Sequence, residues 1–200
     1  MQIEHRGKRP NIDSAAVVAP TAVICGDVTI GPRTHVSFGA VLVAQGGPIR
    51  IGAQCVIREN VVIRSTAQHP VDIGNYVLIG PRASLNGCRV EDEVFLATGV
   101  TVFHGARIGR RAEVRVNGVV HVRSSVASGA TVPIAWVAVG DPARILPPDR
   151  HDEIWSVQEP LNFPRVVYGV ERAAGGVVDM QEVTRRVIAG LAEHGDDRVL

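Results

Sequence analysis

The groups in this chain best able to do chemistry are a set of guanidiniums, one amide and three imidazoles. Arg58, Arg64 and Arg82 stand close along the sequence, with Glu59, Ser84 and Asn86 beside them. A guanidinium presents five donors in a planar fork and grips a carboxylate or phosphate through two parallel hydrogen bonds. Glu59, Arg64, His69 and Asn86 are the expected catalytic set, with His69 as candidate general base. Arg58, Arg82, Ser84, Phe103, His104 and His121 are the expected substrate-binding set. No metal site is expected from His69, His104 and His121, because they do not converge in the repeat set out below, and no cofactor is expected.

The elements that must position these groups follow from one spacing. From Val18, every sixth residue is aliphatic: Ile24, Ile30, Val36 and Leu42. The step restarts at Ile51, Ile57 and Ile63, and again at Ile73, Ile79 and Leu85. A five-residue step reaches Val90, and the period then runs through Leu96, Val102, Ile108, Val114, Val120, Val126 and Val132. Glycine often follows directly, at 31, 52, 74, 80 and 109. Six residues turn an α-helix by about 600° and scatter such positions around its surface. A triangular coil explains the spacing: three hexapeptides per turn, one aliphatic residue inward per face, and coils stacked about 4.8 Å apart. Small residues are expected where the chain turns between faces. Residues 43–50 and 64–72 interrupt the period and read as functional loops on a rigid scaffold.

The fold class read from this pattern is all-β, a parallel β-helix of hexapeptide repeats over residues 1–147, followed by a helical tail over 148–200 that packs on it. Composition agrees: hydrophobic residues make up 46% but aromatics only 4%, so Val, Ile and Leu must supply the core. Residues 149–159 read as an amphipathic helix with Ile154, Trp155 and Gln158 on one face. Residues 161–178 read as irregular. Residues 180–194 read as a helix opened by an Asp179/Glu182 capping box, with Val183, Val187, Ile188 and Leu191 at helical spacing. A net charge of +1 argues against a nucleic-acid partner. No apolar run reaches the ~18 residues of a membrane span, and residues 1–10 do not resemble a secretory signal. Cys25, Cys55 and Cys88 form no disulfide framework, so a reducing, cytoplasmic setting is expected.

The repeat resembles that of the hexapeptide-repeat proteins, whose coil is left-handed. Within them the chain is similar to the γ-class carbonic anhydrases, which show a stretch like NIQDxxxxH and then IGHxxxxHGC. Here the corresponding stretches are VIRENVVIR, from Val56 to Arg64, and IGPRASLNGC, from Ile79 to Cys88. The segment 140–144, GDPAR, looks like the exit motif of the superfamily. The chemistry residues depart from the family pattern. The three zinc histidines correspond to Arg64, Pro81 and Asn86, the Gln and Asp of NIQD to Arg58 and Glu59, and the family's RGD to Val43-Ala44-Gln45.

The resemblance implies a homotrimer in which two ligands come from one chain and the third from the next, so the pocket would lie between subunits. Arginine and proline cannot ligate zinc, and asparagine is weak alone, so zinc-dependent CO2 hydration is not expected. The reading is a metal-independent enzyme (lyase, hydrolase or transferase) or binding protein for a small anionic ligand, a carboxylate or carbonyl compound. One competing reading places the arginines in interface salt bridges, for example Arg64 with Glu59 of a neighbour. Another makes the chain a non-catalytic assembly subunit, which an exposed apolar patch on residues 161–200 would favour. A third is a hexapeptide-repeat acyltransferase, though the chain lacks that group's long loop with an embedded histidine.

Overall fold

The computed structural model describes residues 1–173 and 175–200. Most of the chain forms a left-handed parallel β-helix whose short strands stack into three flat faces. On the first face the inward residues run Ile24, Leu42, Ile63, Leu85, Val102, Val120 and Ala138. On the second they run Ile12, Ile30, Ile51, Ile73, Val90, Ile108 and Val126. On the third they run Val18, Val36, Ile57, Ile79, Leu96, Val114 and Val132. Apart from Ile12 and Val18 near the open end, all are buried, each aliphatic side chain contributing about 1.5–3 kcal/mol.

The second-to-third corner explains Gly31, Gly52, Gly74 and Gly109, and the third-to-first corner explains Gly80 in the same way. A Cβ on Gly31 would lie 2.7 Å from the Gly52 backbone, and one on Gly52 would lie 2.6 Å from the Gly74 carbonyl oxygen. These residues do not bend the chain; they let one coil's backbone rest on the next. The bending is done beside them by left-handed residues, among them Arg33, Gln54, Tyr76, Glu93 and Arg111 at φ between 56° and 60°.

Both interruptions of the period, and the five-residue step as well, fall at the first-to-second corner. They are not loops of the kind expected. Val41–Ile51 is one continuous strand around this corner. It pairs with the second insertion through Val43–Arg64, Ala44–Ser65 and Gln45–Thr66, then through Ile49–Val71. The two insertions therefore stack as a rib, because backbone groups away from water are best satisfied by pairing. An isolated bridge between Thr66 and His69 closes the second one.

The GDPAR segment reverses the chain: Val137–Val139 pairs antiparallel with Arg144–Leu146 and ends the parallel stack. Among the described residues three α-helices follow, α1 (His151–Gln158), α2 (Phe163–Tyr168) and α3 (Met180–Ala192). α1 buries Ile154, whereas Trp155 stays partly exposed with the Arg172 guanidinium 5.6 Å from its ring centroid. α2 corrects the expectation of an irregular segment: Pro164 stands in its first turn, Gly169 ends it at φ 69°, and Phe163 anchors it on the prism. In α3, Asp179 accepts from the amides of Gln181 and Glu182. Glu182 does not reach back as a capping box requires; it turns to Arg185 and Arg186. Val183 is buried, but Val187, Ile188 and Leu191 are exposed. Arg198–Val199 then pairs antiparallel with Gln2–Glu4, which itself lies on Ile24 and Cys25.

Candidate functional site

The outward residues that follow the first face form one column, Cys25, Val43, Arg64 and Asn86, each in register with the next. Phe103 and His121 extend it, directly after the paired Val102 and Val120. Arg64 and Asn86 are thus adjacent coils on one edge. Asn86 donates from its amide to Ser84 Oγ at 3.3 Å and to the Val102 carbonyl at 3.5 Å. Among the described residues Arg64 has no carboxylate within ion-pair distance.

The tail lies over this edge. α2 and α3 enclose a cleft of about 530 Å³ against Arg64, Asn86 and His104, with Arg6, Arg186 and Glu193 on its walls. Glu193 is the cleft's carboxylate, and Arg6 holds it at 3.1 Å. Arg186 is held in turn by Glu182 of α3 at 2.7 Å, so among the described residues Arg64 is the cleft's guanidinium without a carboxylate. A second cleft of about 470 Å³ shares Gln68, Tyr168 and Arg186 with the first and is lined by His69, Arg123 and Arg165. Gln45 secures the wall, its Nε2 donating to the Gly190 carbonyl of α3 at 3.0 Å.

His69 and His104 meet at this edge, edge to face, with ring centroids 5.6 Å apart. Sequence spacing did not bring these two together; the second insertion does, by folding His69 back over the next coil. Gly87 makes the approach possible, since a Cβ there would lie 2.3 Å from His69 Cβ. Burial lowers the pKa of His104 to about 4, with His69 adding repulsion. Burial also lowers that of His69, and the Arg123 charge adds to it. Both rings are therefore neutral at pH 7, and a neutral imidazole can accept a proton or a hydrogen bond. The buried Nδ1 of His104 has no partner among the described residues.

The other expected residues stand elsewhere. Phe103 and His121 are covered by Phe163 of α2, with ring centroids at 5.4 and 5.9 Å. Burial lowers His121 to about 4. Arg58, Glu59 and Arg82 lie on the third-to-first corner, where the Arg82 amide donates to the Glu59 carbonyl. Within one chain Glu59 lies in the turn before the strand Val62–Thr66, with Asn60 at φ 58°, and so at the opposite edge of the first face from Arg64. Glu59 pairs with Arg58 at 3.0 Å. Its own backbone amide and that guanidinium hold its carboxyl below the usual range.

Zinc does not fit the three positions that the sequence resemblance matched to the family's ligands. Arg64 has no acceptor atom, Pro81 has no side-chain donor, and the Asn86 amide is turned to Ser84 and Val102. A group that spacing did not reveal stands further along the same edge: His5, Cys25, His194 and Asp197, drawn from both ends of the chain. Sequence spacing singles out none of the four; the three-residue step from His194 to Asp197 is a local signal, and alone it is weak.

No family model matches the chain. It is 31% identical over 189 residues to gamma carbonic anhydrase 1, mitochondrial, of Arabidopsis thaliana, covering 90% of this chain and 66% of that protein. It is 30% identical over 145 residues to gamma carbonic anhydrase 2, mitochondrial, of the same plant, covering 70% and 50%. The chain thus spans about half to two thirds of the length of these relatives. Among solved structures, a Bacillus cereus protein provisionally assigned as an acetyltransferase superposes with a TM-score of 0.55 at 20% identity, covering 94% and 96% of the two chains; this shows the fold alone. No helix is long and apolar enough to cross a membrane among the described residues. With the repeat, the VIRENVVIR and IGPRASLNGC stretches and these relatives in agreement, the chain belongs with the γ-carbonic-anhydrase-like proteins of the hexapeptide-repeat superfamily.

Proposed function

We propose that the chain is a metal-independent binding protein or enzyme for a small anionic ligand, a carboxylate first, held at Arg64. The observation that supports this reading is a guanidinium, Arg64, on the wall of the cleft and without a carboxylate partner among the described residues. Arg64 would grip the anion bidentately, Asn86 would take one further hydrogen bond, and neutral His104, backed by His69, would serve as base. The ligand supplies the missing negative charge.

The same reading includes a homotrimer. Arg64 and Asn86 stand on one edge and Pro81, Arg82 and Glu59 on another, so only a second copy could bring the two groups together, as in the family's shared site. Three free, buried thiols fit a reducing compartment such as the cytoplasm. One observation favours a second reading, an assembly subunit: Val187, Ile188 and Leu191 expose 41%, 61% and 49% of their surfaces along α3. The acyltransferase reading has only a likeness of fold behind it.

The test is a melting-temperature titration of the purified protein with acetate, malonate, phosphate and chloride. The carboxylates should raise the transition in the wild type and not in Arg64→Ala. No shift with any of the anions, or an equal shift in the variant, refutes the site.

A further inference from the structure

We propose that His5, Cys25, His194 and Asp197 form a divalent-metal site of the zinc class, closed by four protein ligands, that clamps the tail after α3 onto the first coil. This site is separate from the Arg64 cleft and does not depend on the reading given to it.

The geometry is nearly that of a filled site. One donor atom from each residue lies within 4.8 Å of all the others. Around a tetrahedral zinc, with bonds of about 2.0–2.3 Å, donors stand roughly 3.3–3.8 Å apart. Asp197 is the hub: Oδ1 is 2.6 Å from His5 Nδ1, and Oδ2 is 2.8 Å from His194 Nδ1 and 3.5 Å from Cys25 Sγ. The two imidazoles stack with centroids 4.4 Å apart. An ion that replaces the shared protons needs those contacts to open by less than an ångström.

Hydrogen bonding alone leaves this cluster poorly satisfied. His5 is 2% exposed, and its Nε2 has no partner among the described residues. Cys25 is 3% exposed, and its buried thiol stands directly against a carboxylate. A bound cation deprotonates a thiol that coordinates it. Thiolate and carboxylate together carry two negative charges, which match a divalent ion, and two neutral imidazoles complete the set. One sulfur, two nitrogens and one oxygen suit zinc and exclude magnesium and calcium, which take oxygen donors.

The topology suggests what the ion would do. His5 follows the first strand, Cys25 lies in Val23–Ile30, and His194 and Asp197 follow α3. Cys25 heads the column that contains Val43 and then Arg64, so its backbone stands two coils, roughly 10 Å, from that of Arg64. α3 walls the anion cleft, and its end would be fixed by the metal.

The test uses the untagged full chain, stripped with chelator and reloaded with Zn²⁺ alone or Co²⁺ alone. The expected result is one ion per chain, a higher melting temperature, and a thiolate-to-cobalt charge-transfer band. Cys25→Ser should abolish the band. His194→Ala should weaken binding by more than the ~10–100-fold that an outer-shell change costs. Arg64→Ala should bind zinc as the wild type does, which separates this site from the cleft. Failure of the wild type to take up stoichiometric zinc, or a cobalt spectrum without a thiolate band, overturns the proposal. Undiminished affinity in His194→Ala, a change at a partly exposed tail residue, overturns it too. Should Cys25→Ser not fold, the wild-type spectrum and His194→Ala decide.

Discussion

Gly87→Ala probes the join between scaffold and site. Gly87 has φ +48°, where an alanine costs about 1–2 kcal/mol. Its new Cβ would lie 2.3 Å from His69 Cβ and 2.9 Å from the His69 carbonyl oxygen. An ordinary carbon–carbon contact is near 3.5–4.0 Å, so the second insertion must retreat by more than about 1 Å. Overpacking of that kind costs roughly 1–3 kcal/mol. The total is about 2–5 kcal/mol, or roughly 4–20 °C in Tm for a chain of this size. Gly129→Ala is the control, since Gly129 also has positive φ, +71°, but nothing within 4 Å of a Cβ. It should lose only the backbone part, about 1 kcal/mol. Adding His69→Gly to Gly87→Ala removes one colliding atom and should recover part of the loss. Urea unfolding of the four proteins measures each step. Equal losses in Gly87→Ala and Gly129→Ala would refute the claim that Gly87 exists to admit His69.

Gly52→Ala should be comparably severe, because its Cβ would press on the Gly74 carbonyl oxygen at 2.6 Å; denaturant midpoints test this, and a loss under about 0.5 kcal/mol would contradict the ladder. Phe163→Ala should free α2 from Phe103 and His121, costing about 2 kcal/mol and exposing residues near 163 to limited proteolysis. Stability should also depend on pH through His104 and His121. Their folded pKa values, about 4, lie below the ordinary 6.5, so the unfolded chain binds more protons between those values. Their contribution is complete above pH 6.5 and lost as pH falls from 6.5 towards 4; His121→Gln should flatten unfolding midpoints over that window.

Much of the scaffold could be read from the sequence because its period is short and strict. Each inward aliphatic position from Val18 to Val132 occupies the face that the spacing assigned to it. The column from Val43 through Arg64 and Asn86 to His121 was equally legible, since a register is arithmetic once the period is known. What escaped was everything set by non-periodic chain. The meeting of His69 with His104 depends on how an insertion folds back. The burial of Phe103 and His121 depends on where α2 lands, and α2 is too short to announce itself by periodicity. His5 and Asp197 are joined by contacts between the two ends, which no spacing rule reaches. The glycines were recognised as turn-associated, but their neighbours across the stack, not their own dihedral angles, explain them.

The placement of both insertions and the one-residue contraction at a single corner has a consequence for altering this molecule. At the second-to-third corner, backbone rests on backbone through Gly31, Gly52 and Gly74, so added chain there would pry coils apart. At the first-to-second corner, Val41–Ile51 and Val62–Thr66 show that extra residues can leave the prism, pair with each other and return in step. Length there costs only slowly growing closure entropy. The prism thus has one margin along which segments of new length or shape can be grafted, and it is the margin that carries Arg64, Asn86 and the histidine pair.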